Sequence, residues 1–180
     1  MIDEAVRAFR KVDIFVSNAG TASRGYNLVD SNIEEVQRLL DIHVLGAMRF
    51  VKLLVPIMRE LGGGAMVFIS SQATQTCEAF GGPYIMAKAA LEAMARTLAR
   101  EERGSNIRVN VVAPSVTETD MGIRYVKARF GVNDVSKILD RMPFGRLARP
   151  EDIAEAVAFL VSDKASYVTG QIIFVNGGGW

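Results

Sequence analysis

The sequence predicts an α/β domain over residues 1–180, a parallel sheet with helices on both faces, and three observations predict it. Short runs rich in β-branched and aromatic residues alternate with longer runs of helical period. The strand-like runs are apolar almost throughout, as strands buried on both faces must be. A chain of 180 residues with 49% hydrophobic composition is enough to bury one core.

The elements follow in order. Residues 2–11 read as the end of a helix, and residues 13–17 as a buried strand stopped by Asn18, Ala19 and Gly20. Ser31-Asn32-Ile33-Glu34 has the form of a capping box, with Ser31 as N-cap and Glu34 reaching back. The helix it opens runs to about Leu61 on a stripe of Val36, Leu40, Ala47, Val51, Leu54 and Met58. Pro56 is expected to bend that helix or end its regular part. Residues 65–69 form the second strand, ending in Ser70-Ser71. Pro83 suits a helix start, and residues 84–103 form the next helix. Residues 106–113 give the third strand, stopped by Pro114. The least regular region, 115–148, has helical stretches near Tyr125 and Val135 and is of a length expected of a lid or binding loop. A helix from Pro150 to about Val161 and a last strand at 170–175 complete the pattern.

Several function classes are excluded early. Net charge is +1 and basic residues have acidic neighbours, so no footprint for nucleic acid exists. No apolar run approaches the roughly 20 residues that span a bilayer, and Met1–Arg7 has an amphipathic pattern rather than that of a signal peptide. The single cysteine, Cys77, excludes an internal disulfide framework and suits a reducing, cytoplasmic setting. It has no signature of a nucleophile nearby. One histidine, His43, does not suggest a metal centre.

Tyr84 and Lys88 are four apart on one helix and therefore share a face. A phenol titrates near pH 10 unaided, and a nearby ammonium lowers that value, making tyrosine a usable acid or base. Ser71, at the end of a strand, can hydrogen-bond the oxygen of a carbonyl or alcohol. Alone, the pair is a weak motif.

Its company makes it specific. Asn18-Ala19-Gly20, Ser70-Ser71, Tyr84-Ile85-Met86-Ala87-Lys88, Asn106–Pro114, Gly145-Arg146, Pro150-Glu151-Asp152 and Thr169-Gly170-Gln171 occur in this order along nearly the whole chain. In these motifs the sequence closely resembles the classical short-chain dehydrogenase/reductase family. The resemblance implies a Rossmann-type fold that uses NAD or NADP to interconvert carbonyls and alcohols. It implies that Tyr84 is the acid/base, that Lys88 lowers the tyrosine pKa and binds the nicotinamide ribose, and that Ser71 holds the substrate oxygen. Asn18, Ala19 and Gly20 would lie beside the adenosine part of the cofactor, and Pro114, Thr117 and Thr119 beside its nicotinamide end. It further implies a homodimer or homotetramer joined through helices 33–61 and 84–103.

The sequence departs from the family pattern in four places. No Gly-rich phosphate turn is recognisable, since Gly62–Gly64 and Gly177–Gly179 are helix and strand stops. By resemblance the chain begins just before the family's fourth strand, so the first three strands and the residue selecting NAD or NADP are expected to be lacking. The strand at 13–17 would then be an exposed edge, as expected of an N-terminally truncated member. His43 stands where the family usually has an Asn that holds a water behind the lysine; it is expected to be buried, as a proton relay or as an ordinary core residue. Ser115 replaces a customary Gly, which puts the freedom of that turn in doubt. Asn176 replaces a common Asp.

Two readings remain open. One is an oxidoreductase in which Tyr84 moves the proton and Ser71 positions the oxygen. The other is a non-catalytic fragment or pseudoenzyme subunit acting through oligomer contacts. The substrate pocket is expected between residues 72–80 and the loop 120–142, with Phe80, Tyr125, Phe130 and Met142 as apolar candidates.

Overall fold

The computed structural model describes residues 2–179. Four strands, β1 (Ile14–Ser17), β2 (Gly64–Ile69), β3 (Ile107–Pro114) and β4 (Ile172–Val175), form one parallel sheet in that spatial order. Alternation along β2 divides its side chains between two cores. Met66 and Phe68 face α3 (Gly46–Glu60) and α5 (Gly82–Glu102), where they pack with Leu54, Met58, Leu91 and Val109. Val67 faces the other way, onto Val112 and Leu160 of α7 (Pro150–Val161). Each such side chain contributes roughly 1.5–3 kcal/mol by its burial. Helices therefore cover both faces, and the fold is Rossmann-like as expected.

The region 33–61 is not the single helix its stripe suggested. It divides into α2 (Ile33–Leu40), a π-helical turn over Asp41–Leu45, and α3. Pro56 lies inside α3, which runs on to Glu60, so the irregularity falls at the π turn rather than at the proline. The capping expectation was also one residue out. Asn32 is the N-cap, its Oδ1 accepting from the Glu35 amide at 2.8 Å, while Ser31 donates to the Asn27 carbonyl. Buried Glu35 in turn accepts from the Arg24 amide at 2.6 Å and so pins the loop after β1.

Elsewhere the expected elements stand with shifted ends. The helix α1 spans Ile2–Phe9, and α5 starts around Pro83. At its far end Arg59 forks onto buried Glu102, tying the ends of α3 and α5 together. A short turn, α4 (Ala73–Thr76), follows β2, and α6 (Asp120–Phe130) covers a small cluster of Val126, Ile138 and Leu147. The strand β1 is at the edge of the sheet among the described residues. Ile14 and Val16 are 48% and 40% exposed, while Phe15 stacks on Phe50 at 5.4 Å and meets Phe68 edge-on. No helix among the described residues is long and apolar enough to cross a membrane.

Candidate active site

In an open parallel sheet, ligands bind beyond the carboxyl ends of the strands. Ser71 lies there, two residues past the end of β2, and α5 crosses the same strand end. Lys88 reaches down from α5 to donate to the Ile69 carbonyl at 2.7 Å. Its ammonium lies 5.7 Å from the centre of the Tyr84 ring. Ser71 Oγ accepts from the Ala73 amide at 3.2 Å, and Ser71 is close enough to Tyr84 to favour its phenolate.

Burial dominates the electrostatics of the site. Burial pushes the Lys88 ammonium down to about 8, partly offset by the Glu92 carboxylate. Burial raises the Tyr84 phenol above its usual value, and Ser71 opposes that rise. Lys88 keeps its ammonium within 5.7 Å of the Tyr84 ring centre while donating to the Ile69 carbonyl.

His43 is buried, as its place on the apolar stripe implied, but in the π turn. Its ring stands edge-on to Tyr84 at 5.5 Å, and Nε2 lies 2.9 Å from the Thr21 carbonyl. With the proton on Nε2 that contact is a donated hydrogen bond and Nδ1 is left as an acceptor; the Thr21 amide lies farther from the same nitrogen, at 3.4 Å. Nδ1 is buried with no protein partner. Burial first, then the Lys88 charge, lowers the imidazole to about 4, so it is neutral at pH 7.

The loop after β1 closes over these groups. A Cβ on Gly20 would come 2.7 Å from His43 Cε1 and 3.7 Å from Lys88 Nζ, so glycine permits this approach. Asn18 and Ala19 precede it in the same exposed loop. The Pro114 carbonyl accepts from the Gln72 amide at 2.8 Å, which sets the end of β3 beside Ser71. Thr117 and Thr119 are engaged locally instead. Thr117 Oγ1 donates to the Ser115 carbonyl, and Thr119 caps α6 by accepting from the Gly122 amide. Gly122 must be small, because a Cβ there would lie 1.9 Å from the Thr117 carbonyl oxygen. Ser115 is not at positive φ, so the concern over its lost glycine does not apply.

On the rim, Tyr125 of α6 donates to Glu78 at 3.2 Å, joining the two segments expected to line the pocket. Phe80, Tyr125 and Phe130 are exposed there, and Phe80 is at φ 69°. Met142 is half-buried and packs against the cluster of Val126, Ile138 and Leu147. Gly62–Gly64 lies at the start of β2, the end of the strand away from Ser71, and Gly177–Gly179 packs on Pro143 and Phe144. Sequence reading missed Glu92, which is buried on the face of α5 that carries Tyr84 and Lys88. The signal existed, since residues 84, 88 and 92 are each four apart.

A parallel sheet covered on both faces, with Ser71, Tyr84 and Lys88 at its strand ends, defines a Rossmann-like α/β protein, and comparison with known proteins identifies its family. The profile of the family described as Enoyl-(Acyl carrier protein) reductase matches residues 1–179. A 3α-hydroxysteroid dehydrogenase of Mediterraneibacter gnavus is 38% identical over 98% of this chain and 68% of its own. The 3-oxoacyl-(acyl-carrier-protein) reductase FabG of Thermotoga maritima is 34% identical over 99% and 70%. A solved structure of a 7α-hydroxysteroid dehydrogenase complexed with NADH and 7-oxo glycochenodeoxycholic acid superposes with TM-score 0.88 at 32% identity, covering 98% of this chain and 67% of that one. The chain belongs to the classical short-chain dehydrogenase/reductase family. It spans about two thirds of the length of the curated relatives it matches.

Proposed function

We propose that the chain provides the proton-handling part of an NAD- or NADP-dependent oxidoreductase that interconverts a carbonyl and an alcohol. The observation that carries this reading is buried Lys88, held on the Ile69 carbonyl at the carboxyl end of β2 beside Ser71, with its ammonium 5.7 Å from the Tyr84 ring centre. Ser71 orients the substrate oxygen, and Tyr84 donates its proton to that oxygen in reduction and takes it back in oxidation. A nicotinamide cofactor, when bound, gives or accepts the hydride. The residues present fit such a group: Lys88, with Gly20 beside it, would hold the nicotinamide ribose, Asn18, Ala19 and Gly20 would lead toward the adenosine part, and Pro114, Thr117 and Thr119 would lie at the nicotinamide end.

His43 is the relay in this reading. Its bare Nδ1 is an acceptor in the wall that also holds Lys88, and a neutral imidazole can pass a proton that a charged one would repel. Single-domain behaviour of the whole chain, a cytoplasmic setting, and a homodimer or homotetramer belong to the same proposal. Exposed Met48, Leu53 and Met86 on α3 and α5 favour pairing through those helices. The exposed rim of Phe80, Tyr125 and Phe130 favours a partly apolar substrate. The non-catalytic alternative loses support, because the matched relatives are named as dehydrogenases and reductases.

The test is Tyr84→Phe, assayed for reduction of a 3-oxosteroid and a 3-oxoacyl thioester. Turnover is expected to fall by about 10²–10⁴ with dinucleotide affinity little changed. Undiminished turnover overturns the assignment.

A further inference from the structure

Beside the groups already assigned, α5 carries one more buried polar side chain on the same face. Glu92 is 7% exposed, one turn beyond Lys88. Its Oε1 accepts from the Ser70 hydroxyl at 2.5 Å and from the Thr74 hydroxyl at 2.8 Å. These two residues flank Ser71. Ser70 is also held through its backbone, its amide donating to the Val112 carbonyl of β3 at 2.8 Å. Thr74 Oγ1 lies 2.9 Å from the Ser71 carbonyl and has one proton to share between that oxygen and Glu92. The segment that presents Ser71 is thus gripped on both sides by one carboxylate, which is itself fixed on a long helix.

We propose that Glu92 is a positioning residue of the reaction, clamping the Ser70 and Thr74 hydroxyls so that Ser71 faces Tyr84, and placing a negative charge one helical turn from the Lys88 ammonium. The inference rests on the reading of Ser71, Tyr84 and Lys88 as the reacting centre. A carboxylate that costs several kcal/mol to bury alone is retained here among hydroxyl donors and a cation, at the one strand end where the chemistry is placed. The groups that face Lys88 are Tyr84 and Glu92 from its own helix, His43 from the π turn, and the Ile69 carbonyl from β2. Among these groups, Glu92 is the one whose charge favours the protonated amine.

The experiment follows the lysine Nζ signals of the full chain by NMR from pH 6 to 11, with Lys88→Arg identifying the Lys88 resonance. In the native chain Lys88 is expected to titrate at about 8. In Glu92→Gln, which keeps the shape and an acceptor oxygen, the midpoint is expected to drop by about one unit. Amide exchange of residues 71–74 is expected to speed by about tenfold in Glu92→Ala and far less in Glu92→Gln, since only the former loses the clamp. A native Lys88 titrating at the ordinary lysine value overturns the reading of the centre itself. A native midpoint near 8 that Glu92→Gln leaves in place overturns the proposal for Glu92 alone. If Glu92→Ala does not fold, the titration of Glu92→Gln decides.

Discussion

The two walls of the site are held in different ways. On the α5 side, Lys88 is tied to the Ile69 carbonyl, Glu92 to Ser70 and Thr74, and Phe68 fills the core directly behind. On the β1 side, the loop of Asn18–Gly20 stands on an edge strand with exposed Ile14 and Val16. It is pinned from outside by two contacts to backbone, His43 to Thr21 and Glu35 to Arg24. Buried hydrogen bonds to charged groups are worth more than neutral ones and hold geometry. The difference teaches that the wall proposed to handle the proton is pre-set, whereas the wall facing the proposed cofactor depends on a few side chains reaching across a loop.

The contrast can be broken most forcefully at the rigid wall. Phe68→Ala removes a side chain with no exposure from the main core and is expected to cost about 3–5 kcal/mol. Chemical denaturation would show this as a lower midpoint, and a cost under 1 kcal/mol would contradict the difference between the walls.

A smaller effect is expected on the loop wall from Gly20→Ala. The added Cβ meets the imidazole at 2.7 Å, and overpacking of this kind costs about 1–3 kcal/mol. The loop is expected to yield rather than the helix, so His43 should lose Thr21 while Lys88 keeps its low titration midpoint. Histidine and lysine NMR signals read the two independently.

The mildest test is pH. Folded His43 titrates at about 4, below its ordinary 6.5, so between those values the unfolded chain binds the proton and the folded one does not. The sign follows: stability is complete above about 6.5, declines as pH falls from 6.5 to 4, and declines no further from this source below that. His43→Asn should flatten that part of the slope relative to the native chain, measured as urea midpoints at pH 7, 5.5 and 4. An unchanged slope would mean that the imidazole is not held neutral.

Much of this arrangement was legible beforehand. The four strands could be read because each is an apolar run with a clear stop, and the Ser71–Tyr84–Lys88 centre because helical periodicity puts residues four apart on one face. Glu92 obeyed the same periodicity and was passed over, since a glutamate on a helix is ordinarily solvated. The π turn at Asp41–Leu45 left no trace in the stripe, because one wide turn shifts the register too little to disturb an apolar pattern.

The sequence by itself determined the family, the parallel α/β layout and the placing of Tyr84 and Lys88 on one helix face, since these rest on local periodicity and on motif order. The tertiary structure alone decided how those side chains are tuned. Whether Lys88 points at a phenol or a carbonyl, whether Nδ1 of His43 finds a partner, and which hydroxyls Glu92 grips are matters of distance between segments far apart in the chain. Burial and charge act through space, and spacing along the chain does not encode them.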